Sequence, residues 1–111
     1  MSGYVETAAF LADATGNLDA EERSELVTFL ASNPKAGVII PETGGVRKLR
    51  WARESGGKSK GYRVIYYFHS ERIPLFLLAL YAKNEKSNLT QAERNTIRKL
   101  TAILSRYGRQ P

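Results

Sequence analysis

The sequence predicts an α+β domain in which N-terminal helices and a C-terminal helix pack on a small twisted antiparallel β-sheet. Helix-capping patterns occur at Asp19 and at Thr90. Three strand-like runs, residues 46–52, 61–69 and 73–82, follow one another between them. A chain of 111 residues that is 42% hydrophobic can bury one core, so residues 1–111 are expected to form a single domain.

The N-terminal part of the chain is predicted to be helical. A short helix is expected over residues 7–14, ending near Gly16. A second helix is expected after Asp19, because a glutamate three residues later completes a capping box. The pair Asn33-Pro34 should end that helix, since the residue before a proline avoids helical backbone angles.

The three strand-like runs predict a meander, with a turn at residues 70–72. Residues 73–82 form the longest apolar run, which has about half of the roughly 20 residues that a membrane helix needs, and it is therefore predicted as a buried strand. The last helix should open at Thr90, with apolar residues at the spacing of a face that lies on a sheet. They are Ile97, Leu100, Ile103, Leu104 and Tyr107.

Composition excludes several classes of protein. The absence of cysteine excludes a disulfide framework and a thiolate metal site. The sequence also lacks paired histidines at metal-ligand spacing and a paired acidic motif, so no metal and no other cofactor is predicted. It lacks a G-x-S-x-G sequence as well, so no serine hydrolase site is predicted. The start MSGYVETAAF lacks the pattern of a signal peptide, and we expect a bacterial cytoplasmic protein without membrane association.

Charge is strongly polarised along the chain. Residues 1–42 contain two basic and seven acidic side chains, whereas residues 43–111 contain fifteen basic and four acidic ones, giving net charges of −5 and +11. A surface of one sign raises the local concentration of a polyanionic partner such as RNA. The acidic part could serve solubility alone, or could leave a surface for a protein partner.

The basic residues concentrate in residues 43–67, on two strand-like runs and their Gly- and Lys-rich connection. By strand alternation, Lys48 and Arg50 share a face, while Arg47 lies on the other face with Leu49 and Trp51. Arg63 would meet the first two across the ladder if the register places them opposite one another. Like charges opposed on a sheet are destabilising, and a bound phosphate would relieve that repulsion.

The same region resembles a known family. The runs GGVRKLRWA, GYRVIYYF and LYAKNEKSNLT, in this order and followed by a terminal helix, resemble the RelE/HigB group of bacterial toxins over about residues 33–107. The resemblance implies a RelE-like microbial RNase fold and a toxin of a type II toxin–antitoxin system. It also implies ribosome-dependent cleavage of mRNA without a metal, and neutralisation by a cognate antitoxin, expected to be a helix-turn-helix protein.

Carried over by position, the resemblance implies catalytic roles for several cations. Arg63 would face the scissile phosphate, with Lys48 and Arg50 on the preceding strand. The loop after the third strand would supply further cations, Lys83 for catalysis and Lys86 for RNA binding. Some family members have a second arginine after the position of Lys83 and a tyrosine at the start of the last helix, where this chain has Asn84 and Thr90. A substitute for that tyrosine could be Tyr67, Tyr81 or Tyr107, and the sequence does not choose among them.

The chemistry of metal-free RNA cleavage points in the same direction. Attack by the 2′-hydroxyl needs a base, a proton donor for the leaving oxygen, and cations that stabilise charge on phosphorus. Neighbouring positive charge can make a lysine competent as the base, and the planar fork of an arginine suits the transition-state oxygens, a role we expect for Arg63. The single histidine, His69, is more typical of a turn or a hydrogen-bonding residue.

Further cations are predicted to contact RNA away from the scissile bond. These are Arg47, Lys58, Lys60, Lys86 and Arg94. Each has a simpler interpretation, because charged helix faces and Gly/Lys-rich turns are commonly just solvated. The aromatic residues Trp51, Tyr62, Tyr66 and Phe68 alternate as sheet residues do and are predicted to be core.

Two other functions remain open at the level of sequence. A ParE-like toxin would have the same fold and inhibit DNA gyrase by binding, although Lys48, Arg50 and Arg63 argue for the nuclease branch. A catalytically inactive module that binds RNA or sequesters an antitoxin is the other alternative.

Overall fold

The computed structural model describes residues 3–51, 61–82 and 88–106. Its elements are β1 (Tyr4–Glu6), α1 (Ala8–Thr15), α2 (Ala20–Ser32), β2 (Val38–Ile39), β3 (Val46–Trp51), β4 (Tyr62–Tyr67), β5 (Leu75–Ala82) and α3 (Gln91–Leu104). The strands form one sheet in the order β1-β5-β4-β3-β2. The predicted α+β architecture, with its meander of β3, β4 and β5, is confirmed.

Two outer strands extend the predicted antiparallel meander. Strand β1 pairs with β5 in parallel, and β2 pairs with β3 antiparallel, so the sheet is mixed. Sequence analysis missed both outer strands because they have three and two residues, too few to show an alternating pattern. Strand β5 also contains an irregularity, since Ile65 pairs with Ala79 but Tyr66 pairs with Leu77, which leaves Leu78 as an extra residue.

Helices α1 and α2 cover one face of the sheet, which we call the α1/α2 face. Their buried residues Phe10, Leu26 and Leu30 pack with Leu49 and Val64 from the strands in one apolar cluster. Three of the aromatic residues predicted as core are buried here, namely Tyr62, Tyr66 and Phe68, and Trp51 packs against the cluster, with its ring centroid 5.5 Å from that of Phe29. These aromatic residues therefore stabilise the fold.

Helix α3 covers part of the opposite face, which we call the α3 face. Leu89 and Leu104 pack there with Val46, Ile65 and Tyr67 in a second cluster. The predicted capping box opens α3, because the Thr90 hydroxyl accepts from the Glu93 amide at 3.1 Å and the Glu93 carboxylate accepts from the Thr90 amide at 2.8 Å. The sheet thus lies between two helical layers.

A turn before β3, in which Thr43 is buried, holds the C-terminal half of α3. The Thr43 hydroxyl donates to the Ile40 carbonyl at 2.7 Å and accepts from the Val46 amide at 3.1 Å. The hydroxyl of Thr101, which is 3% exposed, donates to the Thr43 carbonyl at 2.9 Å. Gly44 has φ +80° and would place a Cβ against Thr101 Oγ1, so only glycine suits this contact.

Tyr66 ties the sheet to the segment after α2. Its hydroxyl donates to the Pro34 carbonyl at 2.9 Å and accepts from the Gly37 amide at 2.8 Å. Burial raises the pKa of Tyr66 above its ordinary value, because the interior disfavours the phenolate, and the Gly37 amide and Arg47 oppose this only partly. The neutral side chain is therefore the form that stabilises the fold.

We expect Thr101→Val to lower the free energy of unfolding by about 1–2 kcal/mol, because valine keeps the shape but leaves the buried Thr43 carbonyl without this donor. Denaturant unfolding measures the change. Thr96→Val is the matched control, since Thr96 is exposed on the same helix, and it should change stability by less than about 0.5 kcal/mol. Equal effects of the two substitutions would contradict a special role for the turn contact.

We also expect stability to fall as pH rises above about 10. A phenol whose pKa is raised by folding contributes stability that is complete below its unfolded value and is lost as pH rises through the folded value. Tyr66→Phe should lower stability at pH 7 by about 1–2 kcal/mol and flatten the alkaline decline. Tyr62→Phe, which loses only a hydrogen bond to Asn17, should keep the decline, and pH-dependent denaturation compares the two.

Candidate functional site

Three predicted catalytic cations lie on the same face of the sheet. The register pairs Arg50 of β3 directly with Arg63 of β4, and Lys48 with Ile65. Directly opposed side chains begin about 5 Å apart, and residues two apart on a strand begin roughly 7 Å apart. We call Lys48, Arg50 and Arg63 the cation cluster, and its members are close enough to contact one phosphodiester linkage together.

The α3 face is polar at one end and apolar at the other, and the cation cluster lies at the polar end. Across the three central strands, one row contains Arg50, Arg63 and Tyr81, whereas a row nearer the other end contains Val46, Tyr67 and Phe76. All three residues of the second row belong to the apolar cluster that includes Leu104 of α3, whereas only Tyr81 of the first row does. Arg50 is exposed, and Lys48 and Arg63 are half-buried. The face therefore changes from a helix-covered core to a basic surface.

Of the two described tyrosines considered for a proton-transfer role, Tyr81 lies nearer to the cation cluster. It pairs directly with Arg63, and its side chain is buried. Tyr67 lies two rows away, where its hydroxyl is 3.2 Å from His69 Nδ1 and also bonds Ser105, and burial raises its pKa. Tyr107 lies outside the described residues.

Lys48 connects the cluster to the start of α3. Its Nζ donates to the side-chain oxygen of Asn88 at 3.1 Å. Asn88 stands two residues before Thr90, the N-cap of α3. Sequence reasoning missed Asn88, because the hydrogen bond spans 40 residues and no local pattern marks it.

A cleft of about 680 Å³ lies beside Tyr81, between α1, the C-terminal half of β5 and the first turns of α3. Its lining is mainly apolar, with two carboxylates, Asp13 and Glu93. Asp13 accepts a hydrogen bond from the Leu80 amide at 3.1 Å, on a stretch of β5 beyond the pairing with β1. The acidic rim contrasts with the adjacent cation cluster.

Arg47 and Arg94 make their contacts with residues outside the cation cluster. Arg47 is on the α1/α2 face, as alternation predicts, and its guanidinium donates to the Gly37 carbonyl at 2.8 Å and the Lys35 carbonyl at 3.2 Å. Arg94 Nη1 is 3.7 Å from a carboxylate oxygen of Glu42, which joins α3 to the turn before β3. Both arginines thus have structural contacts, and their roles in RNA binding stay predictions.

Four other predicted site residues lie outside the described residues: Lys58, Lys60, Lys83 and Lys86. His69 is exposed and follows β4, six residues after Arg63, or roughly 20 Å along an extended chain. It stacks on Tyr67 with ring centroids 6.0 Å apart. This agrees with its interpretation as a hydrogen-bonding residue.

No helix within the described segments is long and apolar enough to cross a membrane.

The pairing of Arg50 with Arg63 should lower the free energy of unfolding by a measurable amount. We expect Arg50→Thr to raise the free energy of unfolding by about 0.2–1 kcal/mol at low salt, because like charges directly opposed in a sheet repel and threonine suits a strand. The gain should shrink at high salt, which screens the repulsion. Thermal unfolding with Arg72→Thr, at an exposed turn position, provides the control. A loss of stability on Arg50→Thr would show that the repulsion is already compensated.

The family model of the RelE toxin of the RelE/RelB toxin–antitoxin system matches residues 14–110 of the chain. The match spans the cation cluster, α3 and the connections between them.

Proposed function

Because this chain belongs to the RelE toxin family, whose members are endoribonuclease toxins that generally inhibit translation, we propose that it is a ribosome-dependent mRNA endonuclease. The family also implies a cognate antitoxin. The observation that carries the proposal is the pairing of Arg50 with Arg63, beside Lys48, on an accessible end of the α3 face. Such a cluster is suited to an RNA phosphate, because several cations on one surface stabilise dianionic charge.

Cleavage is proposed to proceed through attack of the ribose 2′-hydroxyl on the adjacent phosphorus. The 2′-hydroxyl proton goes to a base, the bond from phosphorus to the 5′-oxygen breaks, and that oxygen receives a proton. The products are a 2′,3′-cyclic phosphate and a free 5′-hydroxyl. Every step in this scheme is a proton transfer or a displacement at phosphorus, and the chain's own side chains can perform it.

Arg63 is proposed to stabilise the transition state. It lies in the middle strand of the meander, between Arg50 on one side and Tyr81 on the other. The planar guanidinium can donate two parallel hydrogen bonds to phosphate oxygens. Central placement lets it contact the phosphorus-bound oxygens while its neighbours contact the two sides of the linkage.

Lys48 is proposed as the base and Arg50 as a second phosphate ligand. Lys48 is the one amine of the cation cluster, and a neutral amine can accept the proton of the 2′-hydroxyl. Tyr81 is the nearest described side chain with an ionisable hydroxyl in the row of Arg63, which makes it our candidate for the proton donor. Lys83, which follows β5 in sequence, is proposed to complete the set of cations.

The remaining cations are proposed to bind RNA outside the linkage that is cut. Lys58, Lys60 and Lys86 would contact messenger or ribosomal RNA, and Arg94 and Arg47 would do so in addition to their structural contacts. The site of action would then be the cytoplasmic ribosome. The antitoxin is proposed to be a helix-turn-helix protein.

We expect expression of the chain without its antitoxin to arrest growth and translation, and sequencing of RNA 5′ ends to reveal cuts inside ribosome-bound messages. Arg63→Ala should reduce cleavage by about 10²–10³-fold, because one transition-state donor is lost. Arg72→Ala, which removes an exposed arginine from the turn after β4, should cut like the wild type.

The variants should be purified and shown to fold before their activities are compared. Cleavage by Arg63→Ala at the wild-type rate would contradict the nuclease proposal. Loss of gyrase supercoiling with intact messages would instead favour a ParE-like activity.

A further inference from the structure

The Lys48 side chain is flexible, yet the structure gives it a defined partner. A lysine has four rotatable carbon–carbon bonds and three equivalent donors, so an unpaired ammonium samples many positions. Here Nζ lies 3.1 Å from Oδ1 of Asn88. This contact links β3 to the residue that leads into α3.

Asn88 can hold a partner in place because the two residues that follow it are anchored. Leu89, its neighbour, is 8% exposed and packs in the apolar cluster of the α3 face. Thr90 forms the capping box with Glu93. The exposed amide of Asn88 therefore projects from an anchored point, and the cost of ordering Lys48 is met largely before RNA binds.

We propose that Asn88 is a positioning residue for cleavage, whose side-chain oxygen holds the Lys48 nitrogen over the linkage to be cut. The inference rests on the proposed function, in which Lys48 is the base. An amine can donate one hydrogen to Asn88 and still direct its lone pair at the 2′-hydroxyl. Asn88 thereby makes the start of α3 part of the catalytic arrangement.

A neutral amide suits this role better than a carboxylate would. An aspartate at this position would form an ion pair with Lys48, and an opposite charge within about 4–6 Å favours the ammonium form. Arg50 and Arg63 share the sheet face of Lys48, and the first turn of α3, which follows Asn88, carries Glu93. Asparagine orients the nitrogen and leaves the effect of these charges unchanged.

The experiment compares Asn88→Ala, which removes the acceptor, with Asn88→Asp, which keeps an acceptor and adds a charge. Asn95→Ala and Asn95→Asp are matched controls, because Asn95 lies on α3, the helix that Asn88 precedes, and its side-chain oxygen accepts from Gln91 and Arg98. The measurements are cleavage of ribosome-bound message from pH 5 to 10, and NMR titration of the Lys48 side chain in the purified protein.

We expect Asn88→Ala to lower kcat about tenfold with little change in KM, since misplacement of a catalytic group affects the chemical step more than binding. Asn88→Asp should retain most of the wild-type rate at high pH. Its pH–rate profile and its Lys48 titration should both move to higher pH by about 0.5–1 unit. Neither Asn95 variant should move either readout.

Two results would overturn the inference: cleavage by Asn88→Ala at the wild-type kcat, or a Lys48 titration that does not move in Asn88→Asp. A purified wild-type chain that never cuts message would refute the proposed nuclease function instead. In that case the NMR titration still decides whether Asn88 holds Lys48, because it needs no activity.

Discussion

The pairing register of β3 and β4 is the constraint on which the rest of this structure depends. Leu49 and Val64 pair on the α1/α2 face and are both buried there, so the apolar core fixes the alignment of the two strands. The same alignment places Arg50 opposite Arg63 on the α3 face. A slip of one residue would exchange the two faces of β3, burying its cations and exposing its leucine. Burial of apolar side chains thus supplies the free energy that holds two like charges together.

The candidate site lies where the cover provided by α3 ends. The turn at Thr43 and Gly44 anchors the helix through Thr101, over the apolar end of the sheet. At the other end, Asn88, which leads into α3, accepts a hydrogen bond from Lys48 of the cation cluster. The C-terminal half of α3 therefore closes the core, while the residue that leads into this helix reaches the candidate site. This division lets a short chain contain both a packed core and an accessible basic surface.

Sequence patterns predicted the long helices and strands, because each contains several residues at the spacing typical of its type of structure. The capping boxes at Asp19 and Thr90 located two helices, and alternation assigned Arg47 to the face opposite Lys48 and Arg50. The short outer strands carry too few residues for any periodicity. The exact partner of Arg63 depends on register, which follows from packing between strands distant in sequence. Asn88 was missed for a similar reason, since its importance comes from a contact with a residue 40 positions away.

The extra residue in β5 determines which way Tyr81 points. Up to Leu77, odd-numbered residues of this strand, such as Leu75, face helices α1 and α2. Beyond Leu78 the parity is inverted, so Leu80 enters that core and Tyr81 stands in the row of Arg63. An uninterrupted strand of the same composition would bury the tyrosine among the N-terminal helices. This one extra residue therefore reverses which face each later residue of β5 occupies, and it places the Tyr81 side chain on the α3 face with the cation cluster.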